Sequence, residues 1–246
     1  MIRGIYSAAA GMMTEIVRSD VTANNLANAN TTGFKKDVSI SKDFNSVLIE
    51  RINDGASSPI GEMGSGSQVD EVATIYTGGQ IRATGNDLDL AINGKGFFAV
   101  QTPNGIRYTR NGSFTRSSRG ELVTGDGYRV MGQRGAVRVN DGKLTVNAMG
   151  QVFVDGVQTD RLRVTDFADT KQLTKEGSSL FAASDNARTQ PVSGQVEQGC
   201  LEMSNVNVVS EMVNLIANYR AYEVNGKTVQ AHDSLLDKAV NDVGKI

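Results

Sequence analysis

The chain has 246 residues, with 25 Lys and Arg against 27 Asp and Glu, giving a formal net charge of −2. That balance excludes the basic field expected of a nucleic-acid binder, and no apolar run approaches the roughly 18 residues of a membrane-spanning helix. A single cysteine, Cys200, excludes an internal disulfide, and with a single histidine, His232, no His/Cys set for zinc exists.

The first predicted element is a helix over residues 1 to about 28. Ile2, Ile5, Ala9, Met12, Ile16, Ser19, Ala23 and Leu26 alternate at spacings of three and four, the seam of a helix that packs lengthwise on another. Gly11 and Thr14 have poor helix propensity, so this helix depends on packing. The opening Met1 to Ala10 mimics a secretory leader but is too short and is broken by Gly4 and Ser7. It reads as the first helical turns, and export by another route than general secretion is expected. The turn formers Asn28-Ala-Asn-Thr-Thr-Gly33 end the helix.

Residues 34–75 read as a partly flexible connector, in which Phe44, Val47, Leu48 and Ile52 could share a helical face. The stretches Asn53-Asp-Gly-Ala-Ser-Ser-Pro59 and Gly61-Glu-Met-Gly-Ser-Gly-Ser67 have linker composition. Residues 76–203 are β-rich, with short alternating runs such as Phe97-Phe-Ala-Val-Gln101 and Gln151-Val-Phe-Val154. Asn93-Gly94, Asn104-Gly105, Asn111-Gly112, Asp126-Gly127, Asp141-Gly142 and Asp155-Gly156 predict type I′ turns and hence a meander of hairpins. Arg107, Arg110, Arg116 and Arg119 read as a solvated face.

Residues 204–246 predict a second long helix. Its seam is Val208, Met212, Leu215, Tyr219, Tyr222, Gly226, Val229, Asp233, Leu236, Val240 and Val243. Ser204, Asn205 and Asn207 are candidate N-caps, Glu211 suits the helix dipole, and Glu223 with Lys227 forms an i, i+4 pair. The expected fold class is therefore α+β: long N- and C-terminal helices packed as a coiled-coil-like pair, with an inserted, mainly antiparallel β-domain.

No constellation carries chemistry. Gly64-Ser-Gly66 and Gly94-Lys-Gly96 complete no phosphate-binding fingerprint, and Asn86-Asp-Leu-Asp89 lacks the spacing and terminal Glu of a calcium loop. The expectation is no enzyme, no metal and no cofactor.

Three co-linear blocks carry a resemblance. Asn24-Asn-Leu-Ala-Asn-Ala-Asn-Thr-Thr-Gly-Phe-Lys-Lys36 resembles the N-terminal signature of bacterial flagellar rod and hook proteins. Gly94-Lys-Gly-Phe-Phe-Ala-Val100 with Tyr108-Thr-Arg-Asn-Gly-Ser-Phe114 resembles the start of that family's β-domain. Leu201-Glu-Met-Ser-Asn-Val-Asn-Val-Val209 with Arg220-Ala-Tyr-Glu223 resembles its C-terminal helix. The signature residues carried over are Asn24, Asn25, Leu26, Ala27, Asn28, Thr32, Gly33, Phe34 and Lys35, then Ser204, Asn205, Val206, Arg220, Ala221, Tyr222 and Glu223.

The resemblance implies a self-associating subunit of the basal-body rod, exported through the flagellar type III apparatus without a cleaved leader and located where the rod crosses the periplasm. It implies contacts with other rod and hook proteins and with surrounding ring proteins, and neither nucleic-acid binding nor membrane insertion. One β-domain of this size fits the rod proteins of the F and G kinds, and the chain ending and short connector lean toward the F kind. The assembly contacts are expected at Ile2, Ile5, Met12, Ile16 and Leu26, and at Val208, Met212, Leu215, Tyr219, Tyr222, Val229, Leu236 and Val240. Met13, Val17 and Val21, with Val209, Val213 and Ile216, widen these stripes. The alternative reading is a secreted peptidoglycan- or carbohydrate-binding module, which would be a stable monomer.

Overall fold

The computed structural model describes residues 2–44, 46–53, 56–64, 66–140, 142–177 and 179–243. The chain divides into two compact units and passes between them more than once. One comprises Met1–Leu26, Asp37–Ala73 and Val208–Ile246; the other comprises Ala27–Lys36 and Thr74–Asn207.

The first unit is built from α1 (Ile2–Ala27), four strands and α2 (Val208–Lys238), which continues as a wider turn over Ala239–Val243. Within α1, the hydroxyls of Thr14, Ser19 and Thr22 donate to the carbonyls of Ala10, Glu15 and Arg18 at 3.0, 2.8 and 2.8 Å. This back-bonding lets polar residues sit inside the helix without unpaired donors. The strands are β1 (Asp37–Asp43), β2 (Ser46–Asn53), β3 (Ala56–Gly64) and β4 (Ser67–Thr74). β1 pairs with β4, and β2 with β3 as an antiparallel hairpin whose register shifts between Ile49 and Glu50.

The connector thus differs from expectation. Val47, Leu48 and Ile52 lie in a strand and share no helical face; Val47, Ile49 and Ile52 are β-branched residues that suit a pleated ribbon. The Gly- and Ser-rich stretch is paired in β3 and β4, although Asp54, Gly55 and Ser65 of the expected linker lie outside the described residues.

The second unit is β-rich. Its strands are β5 (Ile81–Ala83), β6 (Leu90–Asn93), β7 (Phe97–Thr102), β8 (Gly105–Thr109), β9 (Phe114–Arg116), β10 (Leu122–Thr124) and β11 (Arg129–Val130). They are followed by β12 (Leu144–Val146), β13 (Gln151–Val154), β14 (Val157–Arg161), β15 (Val164–Phe167) and β16 (Leu173–Glu176). The last four are β17 (Leu180–Ala183), β18 (Thr189–Gln190), β19 (Gln195–Gln198) and β20 (Cys200–Glu202). The main sheet runs β16-β17-β8-β7-β11-β10-β9, with β15 joining β7 and β18. Strands β12-β13-β14 form a second sheet, and β6 pairs with β19 and β5 with β20.

This order is not the simple meander expected. β7 pairs with β8, β11 and β15 because both of its faces are apolar. Phe98 and Val100 enter one core with Leu90, Phe114 and Leu122; Phe97 and Ala99 enter another with Tyr108, Phe167 and Phe181. A strand buried on both faces belongs in the middle of a sheet.

The turns differ as well. Among the described residues, only Asp155-Gly156 of the six Asx-Gly pairs has both φ angles positive, at 52 and 82°, the type I′ requirement. It joins β13 to β14. Gly112 serves a different need: a Cβ there would lie 1.5 Å from the Leu90 carbonyl oxygen, whose strand packs against its backbone. Asp141 lies outside the described residues.

Candidate functional site

Four contacts define how α1 meets α2. A Cβ at Gly4 would fall 2.6 Å from His232 Nε2, and one at Gly11 would fall 2.9 Å from Asn225 Nδ2. Asn218 Nδ2 donates to Thr22 Oγ1 at 3.4 Å, and Asn25 Nδ2 to Glu211 Oε2 at 3.5 Å. As the number rises along one helix it falls along the other, so the two run antiparallel.

The face of α1 turned to α2 carries Gly4, Gly11, Thr22 and Asn25, displaced by one residue from the apolar seam read from the sequence. Gly4 and Gly11 have no side chain to hold the backbones apart. Ile5, Met12 and Leu26 flank this face half-buried, while Ile16 is exposed; the Ile2 side chain lies outside the described residues.

On α2, Leu215, Tyr222, Val229 and Leu236 are half-buried, interleaved with Asn218, Asn225 and His232. Val208, Met212, Tyr219 and Val240 are exposed, as are Arg220, Glu223 and Asp233, while Ala221 is half-buried. A Cβ at Gly226 would lie 3.9 Å from the Met12 methyl carbon, ordinary contact distance.

α1 also meets β1 and β4, through residues that begin beside the α2-facing side and extend around the helix. Thr14 Oγ1 donates to the Ser67 carbonyl at 3.0 Å, and Arg18 bridges Glu15 and Ser41 at 3.1 and 3.2 Å. Tyr6, Ala9, Ala10, Met13, Val17, Phe44 and Val69 line an apolar groove of about 520 Å³ there.

Apolar surface is divided unequally between the units. Among the described residues, every large apolar side chain left exposed belongs to the first unit except Met149 and Val157. Met13 and Val209 are each 71% exposed. Conversely, Ala8 is the one buried apolar residue of that unit among the described residues.

The signature residues form a second constellation. In the first unit, Asn25 bonds the Asp37 backbone twice, donating to its carbonyl at 2.8 Å and accepting from its N–H at 2.9 Å. Asn24 is exposed and Leu26 half-buried; Ala27, which opens the second unit, is exposed. In the second unit, Thr31 Oγ1 donates to Asn28 Oδ1 at 3.1 Å and Thr32 Oγ1 to Asn111 Oδ1 at 2.7 Å. Gly33 has φ of 68°, and its N–H donates to the Glu202 carbonyl at 2.8 Å. A Cβ at Gly33 would meet the Asn111 nitrogen at 2.3 Å, so no larger residue fits. Phe34 is buried beneath Lys175, whose Nζ stands 3.8 Å from the ring centroid.

Lys35 is fully buried. Its Nζ pairs with Glu202 Oε1 and donates to the Thr77 carbonyl at 2.8 Å. Glu202 Oε1 also accepts from the Gly79 N–H at 2.9 Å, and Oε2 accepts from Arg110 at 3.1 Å. Arg110 donates further to the Ile92 and Gly94 carbonyls at 3.1 and 2.7 Å and lies over the Phe97 ring. Burial pushes Lys35 and Arg110 below their usual values, and the Glu202 carboxylate opposes both shifts. Asn205 closes the clasp, accepting from the Lys36 N–H at 2.8 Å and donating to the Ile75 carbonyl at 2.8 Å. Ser204 Oγ accepts from the Val206 N–H at 3.3 Å, turning the chain toward α2.

Arg110 is therefore no part of a solvated face, and sequence reading missed both its role and that of Glu202. The available signal was a carboxylate inside the strand-like run Cys200-Leu-Glu-Met203, where a charge needs a buried partner. Among the described residues, no group of three or more His, Cys, Asp or Glu is placed to hold a metal. No helix there is long and apolar enough to cross a membrane.

The sequence matches three families along its length. Residues 5–35 match flagella basal body rod protein, residues 91–154 the flagellar hook protein FlgE/F/G D1 domain, and residues 197–242 the flagellar basal body rod FlgEFG protein C-terminal family. The chain is 35% identical to the flagellar basal-body rod protein FlgG of Bacillus subtilis, over 98% of this chain and 99% of that protein. It is 37% identical to the flagellar basal-body rod protein FlgF of Caulobacter vibrioides, over 100% of both chains. With identity of this order across its whole length, and all three segments matched in order, the chain belongs to the family of flagellar basal-body rod proteins of the FlgF and FlgG kind.

Proposed function

We propose that the chain is a structural subunit of the flagellar rod whose helix-and-connector unit completes its folding only against neighbouring axial subunits. The observation that carries this is the placement of exposed apolar side chains in the unit where, among the described residues, Ala8 is the one buried apolar residue. Burying a large aliphatic side chain contributes about 1.5–3 kcal/mol, whereas ordering each backbone residue costs about 1–2 kcal/mol. A helix pair that leaves Met13, Val209, Val213 and Ile216 in water gains little over that cost.

In this reading α1 and α2 form a coiled-coil-like antiparallel pair. Its seam is small and polar where Gly4 meets His232 and Gly11 meets Asn225, and polar seam residues select register at some expense of stability. The large apolar residues are thereby left for other subunits. Head-to-tail repetition of such contacts, which do not close, builds a helical array. The product is a tube with a helical layer and an exported-protein passage, transmitting torque, in contact with other axial subunits and the surrounding rings. Delivery by the flagellar export apparatus and a position across the periplasm belong to the same reading.

Sedimentation of the full chain over a concentration series, combined with amide exchange, tests it. Growth of large species with concentration is expected, with protection of residues 2–27 and 208–238 rising only in the assembled fraction. A chain that stays monomeric at high concentration with fully protected helices would overturn it. Tight binding of such a monomer to cell-wall polymer would favour the carbohydrate-binding alternative.

A further inference from the structure

Among the described residues, the apolar groove between α1 and the β1–β4 ribbon is lined by no side chain of α2. Gly4, Gly11, Thr22 and Asn25 face α2, whereas Tyr6, Ala9, Met13 and Val17 line the groove, with Ala10 and Thr14 at its near edge. At roughly 100° per residue Tyr6, Ala9, Met13 and Val17 lie well around the helix from the α2-facing residues. On α2, the same geometry puts Val209, Val213, Ile216 and Arg220 almost diametrically opposite Leu215, Asn218 and Tyr222. Val213 and Ile216 are 60% and 55% exposed. The chain thus carries an apolar groove on one side of the helix pair and an apolar ridge on the other, which cannot meet within one molecule.

Charge is complementary across these surfaces. Asp43 adjoins the groove residue Phe44, and Glu71 shares the β4 face of Ser67 and Val69; both acids are exposed. The neighbouring Asp70 is already matched by Lys42 at 2.5 Å. On the ridge, Glu223 bonds Lys227 at 2.7 Å and also feels the charge of Arg220, the basic member of the apolar row. An arginine beside an apolar ridge suits an apolar groove with an acidic rim.

We propose that the groove of one subunit receives the Val209–Val213–Ile216 ridge of a second copy of this chain, with Arg220 directed to the Asp43 and Glu71 rim. This rests on the reading of the chain as a rod subunit and specifies which surfaces join. Because ridge and groove differ, the contact is heterologous and leaves one of each free at the ends of any array.

Disulfide trapping between copies tests it, using the full chain with Cys200→Ser and either Met13→Cys or Val213→Cys. Both introduced positions are exposed, so folding is checked by far-ultraviolet dichroism. Mild oxidation of the mixed variants is expected to give covalent dimers, and either variant alone to give few. Self-cross-linking of Met13→Cys in preference to the mixed product would overturn the proposal. So would assembly that proceeds without mixed cross-links, a result that leaves the rod-subunit reading intact. A chain that never associates, or that cross-links only to a different axial protein, would overturn a second copy as the occupant. In parallel, Arg220→Glu and Glu71→Arg should each raise the concentration needed for assembly about threefold, and their combination should restore it. Additive loss in the combination would overturn the assigned orientation.

Discussion

Glu202 is the acceptor on which three separate segments of sequence converge. It holds Lys35 from the signature turn, Arg110 from the end of β8 and the Gly79 N–H. Two cations share this carboxylate, with Asp166 acting on Arg110 from further away. Removing the charge at Glu202 strands both cations, whereas removing Lys35 leaves a balanced pair. Glu202→Gln should therefore destabilise the chain by about 3 kcal/mol or more. Lys35→Met should cost clearly less, because the remaining Glu202 and Arg110 still satisfy one another. Urea unfolding of the two variants beside the parent checks the order; a larger loss for Lys35→Met would contradict it. The signature was legible as a turn containing Gly33, but not as a clasp, since linear spacing gives no hint that residues 35, 110 and 202 meet.

At the scale of elements, helix existence was readable and helix orientation was not. Spacings of three and four marked both helices, yet the side of α1 turned to α2 bears Gly4 and Gly11, while Ile16 is exposed. Close approach of backbones rewards small residues, which a hydrophobic pattern overlooks. α2 is apolar on several faces, so periodicity alone could not choose among them. The outer-face pair was readable: Glu223 and Lys227 meet at 2.7 Å.

The Lys227 hydrogen bond lowers Glu223 below 4.5, and the Glu223 bond raises Lys227 above 10.5. A lowered carboxylate contributes stability above its unfolded value that is lost as pH falls through the folded value. A raised lysine contributes below its unfolded value and loses that contribution as pH rises through the folded one. The pair should thus be favourable between about pH 4.5 and 10.5. Glu223→Gln should flatten the acidic limb of α2 stability followed by dichroism in the unassembled chain, and added salt should weaken the parent's own dependence.

For the whole molecule, the buried aromatic core and most of the exposed large apolar side chains among the described residues lie in different units. Phe98 and Phe114 stack edge-on at 5.3 Å within a core fed by most strands of the second unit. Phe98→Ala should cost about 3–5 kcal/mol and lower the main thermal transition. Met13→Ser, at a position largely in water, should shift dilute-solution stability by less than about 0.5 kcal/mol while weakening self-association. Calorimetry and sedimentation of both variants separate the two effects. Equal thermal losses would show that the units share one core.

The sequence by itself determined an α+β chain with a helix at each end, a β-rich middle and membership of a flagellar axial family. These features are written in local periodicity, turn composition and motif order, which need no knowledge of what lies opposite. Tertiary structure alone decided that β7 is central, that the connector is a paired ribbon, and that Lys35, Arg110 and Glu202 form one buried cluster. It also decided which helix faces are left open. Each of these depends on contacts between residues far apart in the chain, where backbone shape and the partnering of buried charge outweigh any local preference.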